Sequence, residues 1–280
     1  MGPPVSLRHT PWTESCDFAV GLRPIPPERW LEGGEPDPAA RKDPLFAARP
    51  DVVWGETPGS EDAQAEVLEL VVAALGAPVP RAGRPALLAA ARAVPDDLCL
   101  MERRDQWRLT ALSLCAQTFF TAHAVLGRSL AELHAPVDGF AARFLSRVVR
   151  VFDGLRPGLV LERRNWTVVN SAERFTPDAA PVRAQIAAID PAEAGRALFL
   201  RVERQTLRRL PRTGAALFTI RVWLDPLEVL LAAPGRLAAF AQAWRDAPPA
   251  FRAYKRFDLY DPLVEGFVRA AGESYSVNGT

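Results

Sequence analysis

The sequence predicts an α+β protein, an antiparallel sheet with helices inserted into it and gathered around it. Three observations lead there. The segments "GLVLERRNWTVVN", "ALFLRVERQTLRRL" and "ALFTIRVWL" alternate side-chain character as strands do. The stretch "DLCLMERRDQWRLTALSLC" places two apolar runs around the polar turn "ERRDQ", the pattern of a hairpin. Helical patterns stand before the hairpin, between it and the late strands, and at the end of the chain.

The elements follow in order. Residues 1–59 are rich in Pro, Gly and Trp and have little periodicity. They read as an irregular wrap anchored by Phe18, Leu22, Trp30 and Phe46, because disordered segments seldom carry so many large apolar side chains. Ser60 caps a helix, with Glu61 and Asp62 at its positive end. Val67, Leu70, Val71 and Leu75 form its stripe, and Gly76 and Pro78 stop it. A shorter helix covers 85–94, and the hairpin runs from Leu98 to Leu112. "AQTFFTAHAVLGRSLAEL" reads as helix and loop broken at Gly127. Asp138 caps the next helix, with Phe140, Phe144, Val148, Val151 and Phe152 on one face. Asp190-Pro191, Asp225-Pro226 and Asp261-Pro262 each read as a helix start, N-cap then first position. A helix therefore precedes the second late strand, and the chain ends in helices with Leu237, Phe240 and Trp244 on one side.

The expected organisation is an arm with helices over 1–95, a sheet core over 96–225 and a helical segment over 226–280, packed as one unit. Five strands with helices entering after the first hairpin is the layout of a PAS domain, which the pattern alone allows among others.

Bulk properties narrow the function. The 280 residues carry a net charge of +1, so no global field draws the chain to nucleic acid or an anionic membrane, and no nucleic-acid motif is present. No apolar run has the length of a membrane span. The start "MGPPVSLRHTPWTES" has no signal-peptide core, and Cys16, Cys99 and Cys115 show no C-x-x-C spacing. A cytoplasmic protein with reduced thiols is expected. The nucleotide-binding, kinase and serine-hydrolase motifs are missing.

Chemistry concentrates in the late strands, where Leu200 to Leu224 carries six arginines. On a period of two, Phe199, Arg201, Glu203 and Gln205 share a face. So do Leu217, Thr219, Arg221 and Trp223, while Arg164 and Trp166 lie opposite Asn165. Glu203 reads as the only acid on these mixed faces. One reading is a sheet with its polar face in water; the other is a site where guanidinium groups meet an anion. Histidine is scarce, with His9, His123 and His134 only, and no metalloprotease spacing. A single axial His suffices for haem, and His134 in "ELHAPVDGF" sits at a break where a ligand is accessible.

The runs "FAVGLRPIPPERWLE", "DLCLMER", "LGRSLAELHAPV", "RRNWTV" and "LRVERQTLRRLPRTGAALFTIRVWLDPL" occur in this order. Together they resemble the haem-binding subunit of haem-dependent oxidative N-demethylases, the dimethylamine mono-oxygenase family, over about residues 17 to 230. The resemblance implies a PAS-like fold and haem b. It also implies O2, with electrons from NADPH through a separate flavin/iron–sulfur reductase, and a small amine whose methyl group leaves as formaldehyde. Carried onto this chain, His134 is the expected iron ligand, and Arg164, Arg201, Glu203, Arg204 and Arg221 match the strand motifs. Arg164, Arg201, Arg204 and Trp166 are expected against the cofactor, Arg221 as a distal donor to bound O2, and Glu203 as partner of a protonated amine. The chain departs where the family has "C-F-P-S-R-W" and this sequence has "LCAQTFFTAHAVLG", and where Asp138 replaces a proline. These departures leave open a non-catalytic haem or gas-binding protein, or a member that has lost haem. His123 is a candidate second axial ligand.

Overall fold

The computed structural model describes residues 7–14, 21–135, 144–233 and 235–277, with side chains described to residue 272. Seven strands form one sheet: β1 (Arg23–Ile25), β2 (Trp54–Glu56), β3 (Asp97–Arg103), β4 (Trp107–Ser113), β5 (Val160–Val169), β6 (Phe199–Arg209) and β7 (Ala216–Pro226). Their order is β1-β5-β6-β7-β3-β4-β2, with every pairing antiparallel. The hairpin and the three late strands stand where alternation puts them. The sheet has seven strands rather than five because the N-terminal wrap supplies three-residue strips at both edges. The wrap also holds α1 (Pro38–Ala48), which its low periodicity concealed.

Beyond it come α2 (Glu61–Leu75), α3 (Ala86–Ala93), α4 (Ala122–Val125), α5 (Leu130–Leu133), α6 (Leu145–Gly154), α7 (Arg236–Asp246), α8 (Pro249–Lys255) and α9 (Asp261–Val277). Gly76 ends α2 at φ 65°, a left-handed stop that a residue without Cβ adopts without strain. Ser60 precedes α2, but its hydroxyl donates to the Thr57 carbonyl at 2.8 Å instead of capping. Asp190 caps a helical turn as expected, its carboxylate accepting from Ala192 N at 2.9 Å. Asp225 and Pro226 instead finish β7, and a 3-10 turn, Leu227–Ala232, follows. The expected positions Phe18, Asp138 and Phe140 lie outside the described residues.

Helices cover the sheet on both sides. On one face, α2 and α3 bury Val67, Val71 and Leu87 against Leu98, Leu100 and Leu217. Further along that face, Trp166, Val168, Leu200 and Val202 pack on Phe240 and Trp244 of α7, Phe251 of α8, and Phe257. Trp244 and Phe257 stack with centroids 3.7 Å apart. On the opposite face, α4, α5 and α6 bring Ala122, Leu130 and Phe152 against Cys99, Met101, Leu112 and Leu207. The helices inserted between the hairpin and the late strands thus share one side of the sheet.

Candidate functional site

Strand register decides which charged residues meet. In the β6–β7 pair Arg204 stands opposite Arg221 and Glu203 opposite Val222. In β5–β6 Arg164 stands opposite Arg204, and Asn165 opposite Glu203. One face therefore carries the row Arg164, Arg204, Arg221, and the other carries Asn165 and Glu203.

The three-arginine row is sealed by the N-terminal wrap. Arg204 donates to Glu162 at 2.6 Å and to the carbonyls of Arg29 and Trp30 at 2.6 and 3.0 Å. Glu162 also pairs with Arg164 at 2.8 Å. Arg221 donates to Glu35 at 2.7 Å and lies 4.6 Å from the Trp223 ring centroid. Glu35 accepts from Arg41 at 2.8 Å and Arg174 at 3.0 Å as well. Burial would raise the Glu35 carboxyl, but hydrogen bonds from Arg41 and Arg221 outweigh it and hold it at about 2. Like charges across a strand pair repel, so each arginine in this row needs its carboxylate.

Arg164, Trp166, Arg204 and Arg221 therefore do not share a site with His134, contrary to the sequence-based expectation. Trp166 is buried among Trp12, Phe240 and Trp244. The cause is register: alternation gives each strand a mixed face, and the β6–β7 pairing places those of the two strands on opposite sides of the sheet. Glu162 is a second strand acid, buried at 4% exposure, beside the Glu203 that looked solitary.

The opposite face holds the other group. Glu203 accepts from Asn165 at 3.2 Å and from Gln205 at 2.9 Å, and lies 3.4 Å from Arg201 Nε. Arg163 donates to Gln205 at 2.6 Å. Arg201, buried at 2%, donates to the carbonyls of Ala116 and Arg174. Burial opposes ionisation of Glu203, yet the charges of Arg201 and Lys255, with the amide hydrogen bonds, hold its carboxyl below the ordinary value. Lys255, at the end of α8, is pulled down to about 8 by burial, against the attraction of Glu203. Burial and the Glu203 charge raise the neighbouring Tyr254 phenol.

His134 follows α5 on this same side. Its Nδ1 lies 2.7 Å from the Leu130 carbonyl. Burial, aided by the Arg163 charge, lowers its pKa. A neutral ring that donates from Nδ1 has its acceptor nitrogen at Nε2, the tautomer of a metal-ligating imidazole. His123 does not join it: that ring is exposed and Nδ1 lies 3.2 Å from the Asp51 carbonyl.

The residues present suit a porphyrin better than a bare ion. Among the described residues no three His, Cys, Asp or Glu side chains form a metal site. Leu161, Phe218 and Ile220 are only half-buried on this face. Val160, Leu217 and Thr219 on the other face are completely buried. A partly open apolar strip on the same side as one imidazole in this tautomer and several cations fits a flat, apolar, dianionic macrocycle.

Arg163, Tyr254 and Lys255 were not singled out from sequence. Arg163 alternates in phase with Asn165, and Lys255 is one of two lysines in an arginine-rich chain, the other being Lys42. Both were signals to follow. Among the described residues, no helix is long and apolar enough to cross a membrane. A family model described as haem-dependent oxidative N-demethylase, alpha subunit-like, matches residues 77–264, well over half of the chain. The match spans α3 to α8, and so includes His134, Arg163, Glu203 and Lys255. It leaves out the wrap that supplies Glu35.

Proposed function

Since the chain belongs to the haem-dependent oxidative N-demethylase alpha-subunit-like family, we propose that it is the haem-carrying subunit of a mono-oxygenase that demethylates a small amine. The proposed co-substrate is O2, with electrons from NADPH through a separate flavin/iron–sulfur reductase. The methyl group leaves as formaldehyde.

The observation that carries the reading is the His134 imidazole, anchored through Nδ1 to Leu130 and kept neutral by burial. Its Nε2 would hold the iron of haem b. Bound there, haem supplies the oxidising chemistry; the protein supplies orientation and polarity. Glu203 stays ionised among Asn165, Gln205 and Arg201. It fixes the polar side of the pocket and keeps the excess positive charge there partly balanced. Leu161, Phe218 and Ile220 supply the apolar wall.

The test is reconstitution. Purified protein supplied with haem should develop a Soret band that His134→Ala largely loses. With NADPH and a compatible reductase, the loaded protein should release formaldehyde from dimethylamine. An unchanged Soret band in His134→Ala overturns the ligand assignment. Haem binding with no formaldehyde from any secondary methylamine overturns the enzymatic reading in favour of a haem or gas-binding protein.

A further inference from the structure

The two faces of the sheet balance their charges differently. On the wrap side, Arg204 and Arg221 are each matched by a carboxylate within 2.7 Å. On the His134 side, Arg163, Arg201 and Lys255 all feel the charge of Glu203, while the other acid of that face, Asp97, is pushed up by burial and accepts from the Cys115 and Ala116 amides. The Glu203 carboxylate already accepts from two amides and lies against Arg201.

Two of these cations keep donors unused. Arg163 spends Nε on Gln205, and among the described residues neither of its terminal nitrogens makes a hydrogen bond or ion pair. Lys255 Nζ likewise has none; it lies 5.8 Å from the Phe251 ring and 5.4 Å from the Tyr254 ring. Both side chains are half-buried, so these donors have left bulk water without protein acceptors. Lys42 shows the contrast: it is fully buried, and its ammonium donates to the carbonyls of Ala91 and Asp96 at 2.8 and 2.6 Å. Half-buried cations with unused donors are costly unless an anion completes them.

We propose that Arg163 and Lys255 form a carboxylate clamp that holds the two propionates of the porphyrin. The proposal rests on the haem reading above and adds its anion-binding residues. Arg163 brings a fork suited to a carboxylate, and Lys255 a compact ammonium on the neighbouring helix. The Glu203 charge supports both as their counter-charge, so the site retains positive charge for its ligand.

The experiment compares ferric protoporphyrin IX with its dimethyl ester, which has the same ring and iron but no carboxylates. Dissociation constants are read from Soret titrations of wild type, Arg163→Gln and Lys255→Gln. Wild type should bind the free acid at least about tenfold more tightly than the ester, the scale of one charge-assisted hydrogen bond. Each variant should narrow that gap by about tenfold while leaving ester affinity within about twofold. Should Arg163→Gln fail to fold, Lys255→Gln on the peripheral α8 carries the test alone. An acid-over-ester preference unchanged in the variants overturns the clamp and leaves the haem reading standing. Absence of a Soret band with either porphyrin in wild type overturns both.

Discussion

Glu203 and Arg221 sit one residue out of step on adjacent strands, and their side chains leave opposite faces of the sheet. Arg221 turns toward Glu35 of the N-terminal wrap, and Glu203 toward Asn165, Gln205 and Arg201. The arginine-rich run thus divides its work. Arg204, Arg208 and Arg221 contact the wrap, Arg201 packs beside Glu203 on the His134 side, Arg209 reaches the Phe152 carbonyl and Arg212 pairs with Glu69.

The fastening is testable through Glu35. Its removal leaves the Arg221 side chain, 1% exposed, with no ion pair among the described residues. Glu35→Ala should cost about 3–5 kcal/mol, the scale of breaking a buried pair. Arg221→Met should cost less, because Glu35 keeps Arg41 and Arg174. The exposed Glu69–Arg212 pair sets the comparison: Glu69→Ala should cost at most about 1 kcal/mol. Urea midpoints for the three variants measure the order, and a Glu35→Ala value no larger than that of Glu69→Ala would refute it.

Asp96 predicts a pH dependence. It is fully buried, neither carboxylate oxygen has a hydrogen-bond partner among the described residues, and burial raises its pKa from 3.8 to about 7. Between these values the folded protein retains a proton that the unfolded chain releases. This contribution to stability is therefore present below about pH 4 and is lost as pH rises toward 7. Asp96→Asn cannot release that proton. Its stability relative to wild type should improve steadily from pH 5 to pH 7, and a constant difference in urea midpoints across that window would contradict the buried neutral acid.

Lys255 reports on Glu203. The Glu203 charge is the main force supporting the Lys255 ammonium against burial. In Glu203→Gln the lysine should titrate below its value of about 8. With two lysines in the chain, side-chain carbon shifts of lysine-labelled protein resolve this directly. An unchanged midpoint would mean that the two groups do not interact.

Gly195 gives a packing test away from the site. A Cβ there would lie 2.8 Å from Cε2 of Phe267 in α9. The ring is held in the core formed by Leu198, Leu227 and Val264. Gly195→Ala should lower stability by about 1–3 kcal/mol, as overpacking does. A thermal midpoint equal to wild type would show that α9 yields.

The sequence made some of this legible and hid the rest for physical reasons. Long alternating runs announced β5, β6 and β7, and "ERRDQ" marked the hairpin, because period and turn chemistry are local. The edge strands β1 and β2 are three residues each, too short to show a period. Alternation placed Arg201 with Glu203 and Arg221 with Trp223. It could not say whether those groups coincide, because that depends on how many residues the turn after Arg209 consumes. Arg163 was overshadowed by Arg164 next to it. Lys255 reaches the strands only through the packing of α8, which no local pattern encodes.

The β6 strand has 11 residues and presents successive side chains to two unlike environments. Inserting one amino acid upstream of Glu203 while keeping the downstream pairing would rotate Arg201 toward the wrap. There its guanidinium would enter the apolar packing of Trp166, Leu200 and Val202, and the matching side chain would be lost from the proposed haem side. Length changes in this stretch are therefore tolerable only in twos, a parity rule that variation among relatives of this chain should obey.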